Sequence, residues 1–275
     1  SRRPGLDLIA QASSGVMSVM GEPGAAPVKS SVPIADLGAA LFTAYAVLSA
    51  VIGRETTGQG QYIDASLLET AMALSIWETA ELWGTGEVPK PLGSANRMSA
   101  PYQAVRAADR YLVIGAANPK LWTALCAVIG RPDLPGDPRF TDNVARIRNR
   151  AELIPLLEQE LARRTADEWV EILLAAGVPA APILDYGEAM DSEQARAREM
   201  TMEIDHPVEG KVKTLGFPVK MHGTPQQVRY PAPLLGQHTL EVFAELGMDI
   251  DQVEALRQAG AFGVIDEAAT APTKT

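Results

Sequence analysis

Apolar and polar residues alternate in blocks through the first third of the chain. The longest apolar run is 37–52, which carries three hydroxyl side chains and no charge. It is short for a membrane span, so it predicts a helix over about 37–53 that is fully buried in a core. Asp36 stands directly before this run, at a natural N-cap position.

Further elements give this part of the chain an alternating order. A short helix is predicted at 6–11, and an extended segment lies before Asp36. Residues 62–65 have the composition of a strand, and Ser66 is placed to cap a second long helix over 67–83. Strands that alternate with helices are typical of an α/β fold with a parallel sheet, and we predict such a sheet here.

Glycine and proline become frequent over 84–103, which predicts a domain boundary. The elements predicted beyond it are a strand at 111–114 and helices over 120–129, 149–164 and 166–176, the last opened by a capping box at Thr165 and Glu168. This mixture predicts a small α+β domain.

The remaining pattern predicts two short strands within 201–222, helices over 237–246 and 250–259, and a frayed tail after Gly263. We therefore divide the chain into 1–85, 86–200 and 201–275.

Composition narrows the function classes. The net charge of −10 disfavours nucleic acid as a partner, although a few local cations could still hold an anionic small molecule. One cysteine, Cys126, excludes an internal disulfide and is predicted to be a core residue. The three histidines have no zinc-ligand spacing, so no metal site is predicted. No membrane partner is expected, and the cytoplasm is the expected location.

Asp36 supports two interpretations. As an N-cap it would stabilise the helix by about 1 kcal/mol. Alternatively, the positive end of the helix aims an ionised carboxylate at a pocket, where it can attack an activated acyl group. Periodicity alone favours the cap.

A series of motifs changes this balance. They run from Gly5-Leu6-Asp7 through Ile34-Ala35-Asp36-Leu37, Thr57-Gly58-Gln59-Gly60-Gln61 and Pro101-Tyr102-Gln103 to Gly177-Val178-Pro179 and Leu234-Leu235-Gly236-Gln237-His238. In this order they resemble the class III CoA-transferase family, which also contains the α-methylacyl-CoA racemases. The resemblance covers nearly the whole chain and is closest to the formyl-CoA and succinyl/glutaryl-type transferases.

The resemblance implies a fold and an assembly. The expected fold is α/β, with a Rossmann-like large domain plus a small α+β domain, in a dimer of interlocked chains. Residues 201–275 are expected to return to the large domain. The resemblance also implies that this chain begins inside the large domain, without the N-terminal segment that supplies much of the CoA pocket. That segment is expected either to have been lost or to belong to a separate partner chain.

The resemblance also implies a chemistry. Asp36 would be the nucleophile that carries acyl and CoA groups in turn, from a short acyl-CoA to a small carboxylic acid. Coenzyme A is then a substrate, and no tightly bound cofactor is expected. Residues 93–101, with the single glycine Gly93, match the glycine-rich lid of formyl-CoA transferase, and water must be kept from the intermediates.

Other positions are weaker candidates. Cofactor contacts are expected from Arg3, Gln11 and Arg97, and substrate or lid roles from Gly38, Gly93, Asn96 and Tyr102. The plain alternatives are a solvated chain end for Arg3, a buried cap for Gln11, a surface arginine for Arg97, helix packing for Gly38 and an interdomain linker for the loop at 93–101.

Leu6 distinguishes the two branches of the family. Racemases have a histidine at this position, and leucine cannot transfer a proton. The sequence therefore favours transfer. A racemase, or a non-catalytic subunit or fragment, remains the alternative.

Overall fold

The computed structural model describes residues 4–262, so Arg3 and the tail predicted after Gly263 lie outside the described residues. The chain divides into two units after Ile183, and each is considered by itself. The first unit is a mixture of helices and a small antiparallel sheet. The second, within its described residues, has a hairpin and four short helices.

The first part of unit one is helical. Its elements are α1 (Asp7–Ser13), a 3₁₀ turn (Val16–Ser18), α2 (Ile34–Thr57), α3 (Leu67–Leu74) and α4 (Ile76–Thr85). The predicted second helix is thus broken, because Ser75 leaves helical geometry with ψ of 45°. Ser66 caps α3 as predicted by accepting from the Glu69 N–H.

The predicted strand at 62–65 does not form. Among the described residues no other strand pairs with it, and Tyr62 is 90% exposed. A strand needs a partner for its backbone groups, so suitable composition alone does not produce one. The parallel sheet predicted from it is likewise not found in the described chain, where both sheets are antiparallel.

Helix α2 was predicted to be fully buried, and this was wrong for the chain as described. Only Ala35 in this helix is buried. Its outer face presents the apolar stripe Leu37, Leu41, Tyr45, Leu48 and Ile52, with Leu41 71% exposed. The sequence shows that a helix is apolar, but not what lies against it.

Length and composition would also allow α2 to cross a membrane, although core helices and signal sequences share these properties.

The second part of unit one is the α+β region. Its elements are β1 (Tyr102–Arg106), β2 (Tyr111–Gly115), α5 (Pro119–Val128), a 3₁₀ turn (Leu134–Gly136), α6 (Asn143–Arg148), α7 (Arg150–Leu161), α8 (Ala166–Ala175) and β3 (Ala180–Pro182). The strand order is β1-β2-β3. The capping box of Thr165 and Glu168 is confirmed.

Separate apolar clusters hold the two parts of this unit. The larger one packs α5, α7 and α8 on the sheet, with Trp122, Leu157 and Leu173 all buried. Cys126 belongs to it as predicted, and burial raises the pKa of its thiol to about 12, so it is not a thiolate nucleophile. The smaller cluster joins α1, α2 and α3 through Ala10, Val16, Ala35 and Ala71.

Unit two contains α9 (Tyr186–Met190), α10 (Glu193–Ala197), the hairpin of β4 (Thr201–His206) and β5 (Gly210–Leu215), α11 (Thr239–Glu245) and α12 (Ile250–Gln258). The two strands predicted within 201–222 are confirmed, as are the two later helices. Gly210 closes the hairpin with φ of +70°, a conformation that favours glycine.

Candidate active site at the start of helix α2

Asp36 lies in the first turn of α2 and not at its N-cap, which corrects the prediction. Pro33 is the N-cap, and its φ of −73° is already close to helical. The Leu37 N–H donates to the Pro33 carbonyl oxygen at 3.0 Å, which closes the first turn. The helix therefore starts before Asp36.

Among the described residues, the Asp36 carboxylate makes no contact that caps the helix or stabilises the fold. An acidic residue here commonly accepts from the N-cap N–H in a capping box, but Pro33 has no N–H. Within residues 4–262 the Asp36 side chain makes no hydrogen bond or ion pair, and the residue is exposed. An unengaged carboxylate at the positive end of a long helix is available to react or to bind.

Asp7 caps α2 from the neighbouring helix. Its Oδ1 accepts from the Ala35 N–H at 2.9 Å and, more weakly, from the Asp36 N–H at 3.4 Å. Its Oδ2 accepts from Gln11 Nε2 at 2.6 Å. Local sequence does not indicate this contact, because 29 residues separate Asp7 from Asp36.

Gln11 is used inside the fold. It is fully buried, and its Oε1 accepts from the Ser30 N–H at 2.9 Å while its Nε2 holds Asp7. These contacts match the alternative of a buried structural role and give no support to the predicted contact with a cofactor.

Gly38 lets α2 and α3 approach closely. A Cβ at this position would lie 2.7 Å from Thr70 Cγ2 and 3.2 Å from Leu74 Cδ1. Helix packing therefore explains this glycine, while its predicted contact with substrate stays a prediction.

We expect Gly38→Ala to destabilise the protein by about 1–2 kcal/mol, because overpacking outweighs the gain in helix propensity. Gly53→Ala is the matched control on the same helix. No atom lies within 4 Å of its added Cβ, so it should stabilise by about 0.5–1 kcal/mol.

Urea unfolding measures both variants. In a Thr70→Ser background, which removes the clashing methyl group, the cost of Gly38→Ala should largely disappear. An unchanged cost there would show that Thr70 is not the obstacle.

The predicted lid, residues 93–101, is tied to the turn at Gly21 and Glu22. Gly93 has φ of +60°, and its N–H donates to the Gly21 carbonyl oxygen at 2.9 Å. A Cβ at Gly93 would lie 2.6 Å from a Glu22 carboxylate oxygen. The positive φ favours glycine here, whereas the Glu22 carboxylate is the end of a flexible side chain that can move away.

Asn96 shapes the middle of the loop. Its N–H donates to the Tyr102 carbonyl oxygen at 2.9 Å, and its Oδ1 accepts from the Met98 N–H at 2.9 Å. The Tyr102 side chain is about half exposed and lines an apolar depression of about 500 Å³ with Val113, Leu121 and Pro179. Among the described residues, no hydrogen bond connects this loop to Asp36.

Three residues that the prediction missed anchor the end of this loop. Asn143 accepts from the Ala100 N–H at 3.0 Å and donates to the Met98 carbonyl oxygen at 2.9 Å. Arg150 donates to the Asn96 carbonyl oxygen at 2.6 Å. Arg146, which is 1% exposed, donates to the Ala100 carbonyl oxygen at 2.6 Å.

The anchors occupy positions 143, 146 and 150, a helical spacing in the sequence, although Asn143 and Arg146 lie in α6 and Arg150 begins α7. This polar stripe could have pointed to them. Burial lowers the pKa of both arginine side chains from the ordinary value.

Arg97 is engaged within its own unit. Its guanidinium pairs with Glu81 at 2.7 Å and Glu78 at 3.6 Å, and it also donates to the Lys90 carbonyl oxygen at 2.7 Å. Its side chain is largely buried. This geometry does not favour the predicted contact with a carboxylate or phosphate.

Two other depressions, of about 540 and 770 Å³, lie in unit two. Glu199 lines both of them, and none of the predicted site residues does. Among residues 4–262, no group of three or more histidine, cysteine, aspartate or glutamate side chains is arranged to hold a metal ion.

The fold and the site define a mixed α/β protein with an anchored loop and, at a helix start, a carboxylate that no described residue engages. The chain belongs to CoA-transferase family III, whose family model matches residues 1–239. It is 36% identical over 261 residues to an acyl-CoA transferase of Fusarium pseudograminearum, covering 94% of this chain and 57% of that protein. It is 32% identical to the succinyl-CoA:glutarate CoA-transferase of Mus musculus, covering 94% of this chain and 60% of that protein.

A solved structure agrees with this assignment. A CaiB/BaiF family protein of Brucella suis is 33% identical, with a TM-score of 0.74 over 89% of this chain and 63% of that chain. The chain thus spans about three fifths of the length of the relatives it matches.

Proposed function

We propose that the protein is a CoA-transferase that moves CoA from a short acyl-CoA to a small carboxylic acid, with Asp36 as the nucleophile. The observation that carries this proposal is the Asp36 carboxylate at the start of α2, which no residue among 4–262 engages, in a chain of this family. A carboxylate that reaches an activated acyl group can act as a nucleophile.

The reaction proceeds by alternating exchange at one carboxylate. Asp36 attacks the thioester carbonyl, the C–S bond breaks, and a mixed aspartyl anhydride and CoA thiolate form. The thiolate then attacks the aspartyl carbonyl, which gives an aspartyl-CoA thioester and releases the donor acid. The acceptor carboxylate repeats these two steps in reverse and leaves as the new acyl-CoA.

The oxyanion of each step needs N–H donors. Two amides at the start of α2 are engaged by Asp7, which leaves the loop as the better source. In the described loop, the amides of Ser94, Arg97 and Ser99 make no hydrogen bond. We assign the loop as both lid and oxyanion donor, held by its three anchors.

The acceptor is proposed to be a small mono- or dicarboxylate. Relatives are named for glutarate and for oxalate, the latter in Acetobacter aceti. No tightly bound cofactor and no metal take part, and the expected location is the cytoplasm.

The proposed assembly is the family's interlocked dimer, with a Rossmann-like large domain and the small α+β domain. The domain limits 1–85, 86–200 and 201–275 remain part of this proposal. The exposed apolar stripe of α2 supports it, because a soluble protein rarely leaves such a face uncovered.

The racemase alternative lacks a base. Leu6 is the N-cap of α1, is 73% exposed and cannot transfer a proton. Incubation with succinyl-CoA and either glutarate or oxalate tests transfer by chromatography of the CoA esters. A new acyl-CoA that depends on the acceptor supports transfer. Exchange of the α-proton of 2-methylacyl-CoA in deuterium oxide, without an acceptor, would support racemisation instead.

A further inference from the structure

The start of α2 carries a fixed chain of hydrogen bonds that the reaction above does not use. The Ser30 N–H can only donate, so it requires the oxygen of the Gln11 amide, 2.9 Å away. The Gln11 Nε2 must then face Asp7, 2.6 Å away. Because Gln11 is fully buried, a reversed amide would leave two donors facing each other without water.

This polarity restricts residue 7. One oxygen of Asp7 must accept from Gln11, and the other must accept from the backbone of α2 at Ala35 and Asp36. Only a carboxylate presents acceptors on both sides, since an asparagine would aim an NH₂ group at one of these donors. The requirement is therefore for charge and polarity as well as for size.

We propose that Asp7 is a positioning residue for Asp36, an inference that rests on the function proposed above. Asp7 holds the Ala35 and Asp36 amides, so it fixes the backbone from which the Asp36 carboxylate projects. A reacting group displaced by about 1 Å loses about a hundredfold in rate, so this restraint should act on the covalent step.

The test exchanges the carboxylate at position 7 and the amide at position 11. Asp7→Asn breaks the chain of hydrogen bonds at Gln11. Combining Asp7→Asn with Gln11→Glu rebuilds it and loses only the weak 3.5 Å hydrogen bond from Gln11 Nε2 to the Ser30 carbonyl oxygen. The carboxylate introduced by Gln11→Glu accepts from the Ser30 N–H and from the new side-chain NH₂ group at position 7, whose carbonyl oxygen accepts from α2. Asp251→Asn is the control, an exposed aspartate in the first turn of α12.

In the full chain, rapid mixing with succinyl-CoA and capture of the Asp36 adduct give the rate of the covalent step. Equilibrium dialysis gives the Kd for CoA, and urea unfolding gives the folded fraction. For Asp7→Asn we expect the capture rate to fall by about tenfold or more per folded molecule, with the Kd changed less than about threefold. The double variant should recover most of the rate.

A capture rate within about twofold of the unmodified chain in folded Asp7→Asn would overturn the inference. So would a double variant that is folded but no faster than Asp7→Asn. Absence of any adduct in the unmodified chain is a different failure, because it removes the proposed function itself and this inference with it.

Discussion

Asp36→Ala is expected to abolish CoA transfer, with a loss of at least about a thousandfold in kcat, because the variant has no group to carry the acyl and CoA moieties. The side chain makes no hydrogen bond or ion pair within the described part of the chain, so its removal should change the free energy of unfolding by less than about 0.5 kcal/mol. Loss of activity without loss of stability marks a reacting group.

Asp251→Ala is the matched control for this variant. It removes another exposed carboxylate from the first turn of a helix, and it should retain full transfer activity. The assay is transfer from succinyl-CoA to glutarate or oxalate, with urea unfolding of both variants. Undiminished activity in Asp36→Ala would show that another group, or no covalent group at all, carries the reaction.

Arg146→Met should have the largest effect on stability, a loss of about 3–5 kcal/mol. The guanidinium is buried and donates to the carbonyl oxygens of Ala100, Ala117 and Phe140. It also lies 5.0 Å from the centre of the Trp122 ring. Methionine fills part of the space but leaves three carbonyl acceptors without this donor, those of Ala100 and Phe140 in buried hydrogen bonds, and each unsatisfied buried group is costly.

Arg148→Met is the matched control, on the same helix but exposed, and should change stability by less than about 0.5 kcal/mol. Urea unfolding measures both. Equal stability of the two variants would contradict the anchoring role assigned to Arg146 and, with it, the account of how the loop at 93–101 is held.

Elements with local signals were predictable from the sequence. The Thr165 capping box and the β4–β5 hairpin depend on residues a few positions apart, and both appear where expected. The long apolar helix also forms, although it runs from Ile34 and not from residue 37. In each case the hydrogen bonds that define the element lie within the segment itself.

Predictions that needed a distant partner failed. Residues 62–65 form no strand because nothing in the described chain pairs with them. The exposure of α2 was not predictable, because the apolar pattern of a helix does not specify what packs against it. The capping of α2 was assigned to Asp36 when it belongs to Asp7, across 29 residues. Tertiary contacts of this kind leave no periodic trace in one sequence.

The candidate site divides in the same way. The motifs predicted Asp36 and the loop at 93–101. The structure adds that no side chain or backbone group of the described chain engages the carboxylate, and that the loop is anchored. Gln11 and Arg97 are predicted to contact the cofactor, yet both side chains make contacts inside the fold. The lid role of Gly93 stays a prediction, and its positive φ by itself explains why glycine occupies this position.

Mass spectrometry of the protein mixed with succinyl-CoA tests the central claim, that Asp36 becomes covalently attached to CoA. The account predicts a CoA-sized adduct on the peptide that contains Asp36, and hydroxylamine should convert it to a hydroxamate at that residue. A folded preparation that binds CoA and transfers it, yet gives neither adduct nor hydroxamate at Asp36, would contradict the account.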